Sequence, residues 1–320
     1  MNLLITGGCG YVGTVLTQAL IEDGHKIYVI DTQWFGNYLK KNDNLTVIRD
    51  DIRNIEKIEL PKIDSVVHLA NIANDPAVDL NPSLSWEVNV LATKQLADKV
   101  IDLGAKQFIY ASSGSVYGVK DEANVTEDLS TKPISVYNKT KIVTERVLMS
   151  YKDKISIHNI RPATVCGISP RMRFDVSVNM LTIQALKNKL ITVTGGSQTR
   201  PNIHIKDMVR VYKHFLLNPN LPSGPYNAGF QNLSILELAN MISDQIPSKI
   251  TISDSNDPRS YRQNSNKLLD TNFKPKFSIL DAITEIRELY EKGHLVDKDE
   301  FHTVRWMQKI DLDELYKKER

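Results

Sequence analysis

Over its first half the chain alternates short β-rich apolar runs with longer segments whose apolar residues return every three or four positions. The runs Leu3-Leu4-Ile5, Lys26-Ile27-Tyr28-Val29-Ile30, Leu45-Thr46-Val47-Ile48-Arg49, Ser65-Val66-Val67-His68-Leu69-Ala70 and Lys106-Gln107-Phe108-Ile109-Tyr110-Ala111 predict strands. The periodic segments predict helices over 15–21, about 85–103 and 137–151, the second stopped by Gly104. Such alternation predicts an α/β fold whose doubly wound parallel sheet is covered on both faces.

After Arg161-Pro162 the regularity falls, and a polar segment, 168–175, leads into a helix over about 178–187. The runs 203–205 and 225–228 predict strands that return to the first sheet around a helix. This gives a first domain of 1–165 with 203–229 returning to it, a smaller C-terminal α/β lobe of 166–202 and 230–290, and a tail, 291–320, with no role beyond packing or subunit contact.

The join between the first strand and helix carries chemistry. In Thr6-Gly7-Gly8-Cys9-Gly10-Tyr11-Val12-Gly13 the three spaced glycines suit a sharp turn, a close backbone approach to pyrophosphate and tight helix–strand packing. The helix N-terminus supplies free amides and a positive dipole end for phosphate. Asp31 ends the second strand 18 residues beyond Gly13, where this arrangement places a carboxylate for an adenosine ribose. Thr32 and Gln33 follow it in place of a basic residue, so NAD is favoured over NADP. A strand-end Asp also caps turns. Asp50-Asp51-Ile52 ends the third strand, where a carboxylate can accept from an adenine amino group or stand as a solvated loop charge. Leu69 and Ala70 end the fourth, beside the expected cofactor, whereas His68 reads as a satisfied core histidine.

Bulk properties narrow the partners. Forty basic against 38 acidic residues leave a net charge of +2, which offers no footprint for nucleic acid or an anionic membrane and points to a small molecule. Two cysteines, Cys9 and Cys166, allow no disulfide framework, and the seven scattered histidines show no ligand spacing, so no metal is expected. The chain enters a strand directly at Met1-Asn2, with no leader and no membrane-spanning run, which fits a cytoplasmic setting.

The fifth strand opens into Ser112-Ser113-Gly114-Ser115-Val116-Tyr117-Gly118, hydroxyls at a strand's carboxyl end. Tyr137 and Lys141 then share one helix face, and Tyr137 alone of the 12 tyrosines has a lysine at that offset. An ammonium beside a phenol, with a positive nicotinamide nearby, favours the phenolate.

Together these elements resemble the extended short-chain dehydrogenase/reductase family, a Rossmann-type group acting mostly on nucleotide-diphosphate sugars. The likeness continues through Arg161-Pro162-Ala163-Thr164-Val165-Cys166-Gly167, the run 192–200 and His204-Ile205-Lys206-Asp207, covering residue 1 to about 290. It implies that Tyr137 is the acid/base, Lys141 its helper and ribose contact, and Ser113 the hydroxyl on the reacting oxygen. It implies NAD contacts from Gly7, Gly10, Tyr11, Val12, Gly13, Asp31, Asp51, Ile52, Leu69, Ala70, Tyr137 and Lys141. Substrate contacts would come from Ser113, Ser115 and Asn179, from Arg200 and Arg259 as diphosphate forks, and, ranked lower, from Arg171 and Arg173.

The family's dehydrating members carry an acidic pair where this chain has Gly114 and Ser115, and its decarboxylating members a glutamate at Ser115. The resemblance therefore implies a 4-epimerase working through a transient 4-keto sugar, with a 4-dehydrogenase or ketoreductase of surface-polysaccharide sugar synthesis as the alternative. A non-catalytic NAD-binding scaffold would not need Ser113, Tyr137 and Lys141 together. Differences from UDP-galactose 4-epimerases at 161–164 and 170–173 point to a less common sugar, such as a heptose or deoxyhexose. Helices near 85–103 and 137–151 lie where relatives pair subunits, implying a homodimer whose seam would draw on residues such as Val90, Leu91, Leu96, Val143, Val147 and Leu148, unless these face the sheet.

Overall fold

The computed structural model describes residues 1–120, 122–254 and 260–310. Its strands are β1 (Asn2–Thr6), β2 (Lys26–Asp31), β3 (Leu45–Arg49), β4 (Ser65–His68), β5 (Gln107–Ala111), β6 (Ser156–Pro162), β7 (Thr164–Cys166), β8 (Leu190–Thr194), β9 (Thr199–His204), β10 (Gly224–Ala228), β11 (Gln231–Ser234) and β12 (Lys249–Ser253). Its helices are α1 (Tyr11–Glu22), α2 (Asp75–Leu80), α3 (Pro82–Trp86), α4 (Ala92–Asp102), α5 (Val136–Met149), α6 (Ser177–Asn188), α7 (Ile205–Leu217), α8 (Ile235–Gln245), α9 (Asn266–Leu269), α10 (Ile279–Glu291) and α11 (Thr303–Lys309).

Seven strands form one parallel sheet in the order β10-β6-β5-β4-β1-β2-β3. The chain runs outward in both directions from β1, so the crevice over the carboxyl ends of β1 and β4 is where such a sheet takes ligands. Alternate residues of each strand serve opposite cores. Leu4, Tyr28, Ile30, Val66, Phe108 and Tyr110 pack beneath α4, while Leu3, Ile5, Ile27, Val29, Val67 and Ile109 pack beneath α1 and α7. Both faces are dry, which is why these strands read as unbroken apolar runs.

A third core joins α6, α8 and α10 with β8 and β12 into the smaller α/β lobe. The prediction for 225–228 agrees with β10, which adds to the large sheet beside β6. The run 203–205 differs. It ends β9, which pairs with β7 and β11 in a separate three-stranded sheet and feeds straight into α7, capped by the His204 side chain. Strand partners are non-local, and nothing in Ile203-His204-Ile205 specifies them.

The helix expected from about residue 85 begins at Pro82, capped by Asn81, and passes into α4 through a π-helical turn, Glu87–Leu91. The Asn89 carbonyl in that turn accepts the Thr93 and Thr144 hydroxyls at 2.9 and 2.7 Å. Its side chain clamps the backbone of Ile72 by accepting from N at 2.8 Å and donating to O at 3.2 Å, fixing the loop after β4. His68 is fully buried between the Thr6 and Thr93 hydroxyls at 2.6 and 2.7 Å, and burial pulls it down to about 3, so it is a neutral core residue. No helix among the described residues is long and apolar enough to cross a membrane.

Candidate active site

Above the carboxyl ends of the central strands lies a cavity of about 660 Å³, roofed by the smaller lobe and by α11. Its floor is the glycine turn. Gly7 has φ +74°, and a Cβ there would stand 2.6 Å from the Ala70 nitrogen; one on Gly13 would stand 2.2 Å from the Gly7 carbonyl oxygen. Side chains are thus barred where α1 packs on the turn, and α1 starts at Gly10 without a side-chain cap. Its first amides and positive dipole end face the cavity as a ready anion site.

At one end, Asp31 accepts from the Cys9 and Gln33 amides at 2.9 and 2.7 Å, and burial raises its carboxyl above the ordinary range. Asp51 accepts from the Arg53 amide at 2.8 Å and from its guanidinium at 2.7 Å, with Ile52 in the wall beside it. Gly7, Gly10, Tyr11, Val12, Gly13, Asp31, Asp51, Ile52, Leu69 and Ala70 all line the cavity. A cradle that excludes Cβ atoms, an uncapped helix start and a fixed carboxylate at the next strand's end suit an NAD pyrophosphate and its adenosine ribose.

At the other end, Ser113 leaves β5 as the cap of a helical turn, Gly114–Tyr117. Its hydroxyl accepts from the Ser115 amide at 3.2 Å, lies 2.7 Å from the Ser115 hydroxyl and stands close enough to the Tyr137 phenol to favour its ionised form. Ser115 donates to Asn138 at 2.5 Å. Lys141 sits one turn below Tyr137 on α5, its Nζ donating to the Ala111 carbonyl at 2.6 Å and lying 5.6 Å from the Tyr137 ring centroid. Burial pushes the Tyr137 phenol up to about 12 and pulls Lys141 down to about 7. That direction is opposite to the sequence expectation of a phenol already made acidic by its neighbour. In the resting site the low dielectric disfavours both charged forms, and the ammonium–phenolate pair has to await further charge.

The substrate-side predictions divide. Ser115, Arg171, Arg173 and Arg200 line the cavity. Arg173 pairs with Asp175 through two bonds of 3.0 and 2.9 Å; although burial works to raise Asp175, Arg173 holds it down at about 2. Arg171 enters the wall from the loop before α6. Its guanidinium lies 4.1 Å from the Phe35 ring centroid; burial and then the Arg173 charge lower its value, while Asp175 and Asp31 work to raise it. Asn179 is not in the wall. It is fully buried, with its amide donating to the Tyr11 hydroxyl at 3.0 Å and the Arg173 carbonyl at 2.9 Å and accepting from the Gly167 amide at 3.0 Å, so it ties the lobe to the turn. Arg259 lies outside the described residues.

Sequence reasoning missed several wall residues. Trp34 and Phe35 follow β2 without a motif, Tyr261 lies in an irregular segment, and Thr303, Val304 and Met307 come from the tail. The tail is anchored by the Trp306 indole, which donates to the Trp34 carbonyl at 2.6 Å. Behind β5, Glu145 and Arg161 form a buried pair of 2.9 and 2.7 Å bonds that also holds the Ser112 hydroxyl, fixing the strand end that carries Ser113. Glu145 lies four residues past Lys141, which was signal enough to place it on the same helix face.

The model of the NAD dependent epimerase/dehydratase family matches residues 3–229. The chain belongs to this family. It is accordingly an NAD-dependent enzyme of the extended short-chain dehydrogenase/reductase type, built on a Rossmann-type fold. Among its relatives is a Bacillus subtilis protein named uncharacterized UDP-glucose epimerase YtcB, 30% identical over 269 residues, spanning 79% of this chain and 84% of that one. Another is the Danio rerio UDP-glucuronic acid decarboxylase 1, 30% identical over 264 residues, 78% of this chain but only 61% of the relative's length. A solved structure, a tyrosine-to-phenylalanine mutant of the Bacillus cereus UDP-glucuronic acid 4-epimerase with a fluorinated UDP-sugar and NAD, superposes with a TM-score of 0.80 at 28% identity, covering 91% of this chain and all of that one.

Proposed function

We propose that this enzyme is an NAD-dependent 4-epimerase of a nucleotide-diphosphate sugar, oxidising a ring carbinol to a 4-keto intermediate and reducing it again from the other face. The carrying observation is the cluster of Ser113, Tyr137 and Lys141 at the cavity wall, followed by Gly114 and Ser115. That turn provides hydroxyls and an ammonium for moving one proton, and no carboxylate for eliminating water or steering decarboxylation. Relatives named as UDP-sugar epimerases support the reading.

Bound NAD supplies the hydride acceptor and returns the hydride. The protein's own groups do the rest. Ser113 holds the reacting oxygen, and the Tyr137 phenolic oxygen takes the carbinol proton and gives it back. Lys141 orients the ribose and charges as the phenol ionises. Arg200 and Arg259 hold the diphosphate, with Ser115 and Arg173 toward the sugar. We assign 1–165 and 203–229 to the cofactor, 166–202 and 230–290 to the substrate. A cytoplasmic homodimer belongs to the same reading: Leu91 is 61% exposed on the π-helical turn and Val143 and Val147 are partly buried on α5, while Leu96 and Leu148 are given over to the core.

The test is incubation with UDP-, GDP-, CDP- and dTDP-sugars without added cofactor, followed by chromatography of the sugar. Formation of a C4 isomer at constant absorbance is expected. Stoichiometric NADH with an oxidised sugar and no isomer makes the enzyme a dehydrogenase instead.

A further inference from the structure

Arg171, in the loop between β7 and α6, is 3% exposed, yet its Nε has no hydrogen-bond partner. A buried guanidinium with an unsatisfied donor is costly unless something outside the chain completes it. The neighbouring guanidinium, Arg173, is bonded twice to Asp175, whereas Arg171 lies 4.1 Å from the Phe35 ring centroid and lines the cavity. The Trp34 indole Nε1 is a second buried donor without a partner in the same wall. Both oxygens of Asp31, the acid nearest this end of the turn, already accept backbone amides. The surroundings therefore offer a cation and donors for an anion that must come with the ligand.

We propose that Arg171 is a cofactor-binding residue, donating from the smaller lobe to the adenosine-side phosphate of NAD while Asp31 takes the adjacent ribose. The loop before α6 would thus grip the cofactor as well as bordering the substrate, tying the lobe to the dinucleotide. This rests on the family's NAD dependence and is independent of which sugar is processed.

The experiment is calorimetric titration of the full chain, freed of bound nucleotide, with NAD, NADP, ADP and adenosine, comparing the native protein with Arg171→Gln and Arg171→Lys. Arg171→Gln is expected to weaken NAD and ADP about tenfold or more and adenosine less than about twofold. Arg171→Lys, which keeps the charge and loses the planar fork, is expected to lose about threefold for NAD. The proposal is overturned by NAD affinity within twofold of native, by adenosine losing as much as ADP, which marks a change of pocket shape, or by a loss confined to NADP, which marks a 2′-phosphate contact. Should Arg171→Gln fail to fold by circular dichroism, the lysine variant decides alone, and unchanged NAD affinity there overturns the proposal.

Discussion

The two ends of the cavity are built differently. The reacting end takes Ser113, Tyr137 and Lys141 from one strand end and the next helix, within 29 residues of chain, and braces them from behind with Glu145 of the same helix. The adenosine end is gathered from the whole chain: Asp31, Trp34 and Phe35 after β2, Asp51 and Ile52 after β3, Arg171 between β7 and α6, and Met307 on α11. A site made from one strand–helix unit carries its geometry in local spacing, and a site made from several loops is set by how the lobes dock. Substitutions should therefore separate the ends, abolishing chemistry at one and loosening the cofactor at the other.

The largest effect is expected from Tyr137→Phe. It removes the phenolic oxygen that takes and returns the carbinol proton, so turnover should fall by about 10³-fold or more while NAD affinity stays within about twofold. Single-turnover kinetics beside a binding titration checks this, and substantial residual turnover would move the acid/base role elsewhere. Glu145→Gln comes next. It leaves the Arg161 guanidinium buried without its counter-charge, an expected loss of about 3 kcal/mol in urea unfolding, with Arg161→Met in the same background recovering part of it.

Lys141 links stability to pH. Its folded value is lowered to about 7 from 10.5, so between those values the unfolded chain binds the extra proton and stability rises with pH. The contribution is fully present above 10.5 and lost as pH falls through about 7. Tyr137 acts oppositely, but only from about 10 upward, where its raised value begins to favour the folded, protonated form and stability drops toward 12. Lys141→Met should flatten the slope between pH 7.5 and 9.5, on the order of 1 kcal/mol per pH unit, leaving the Tyr137 limb in place. Urea melts across that range check it, and a slope unchanged in the variant would mean that Lys141 stays charged in the resting site.

The same contrast decides what could be read from the sequence. The central sheet was legible because strands buried on both faces leave continuous apolar runs, and the glycine turn because backbone contact excludes side chains at Gly7 and Gly13. Tyr137 and Lys141 were legible because one helical turn fixes their separation, and Ser113 because it stands among hydroxyls at the carboxyl end of β5. Asn179 misled because an amide in a helix near the substrate lobe has the same signature whether it faces a ligand or, as here, joins Tyr11 to the Arg173 carbonyl. The pairing of β9 and the placement of Arg171 depend on which surfaces meet, and no spacing rule encodes that. The phenol's resting state was missed for a different reason: charge pairing is visible in a motif, whereas the burial that overrides it is a property of the closed fold.

The tail gives the smallest and most pointed separation. α11 puts Met307, 3% exposed, and Val304 into the adenosine-end wall and is pinned there by the Trp306 indole on the Trp34 carbonyl. Trp306→Phe keeps an aromatic ring and deletes one hydrogen bond, so the expected cost is about 1 kcal/mol, a Tm lower by about 2 °C. If the tail closes this end, NAD affinity should fall a few fold in the variant while the chemical step measured at saturating NAD stays unchanged, the converse of Tyr137→Phe. A chemical step that slows together with the loss of affinity would mean that the two ends are mechanically coupled through α2, which packs against α11 and carries Asp75 toward the Ser135 cap of α5.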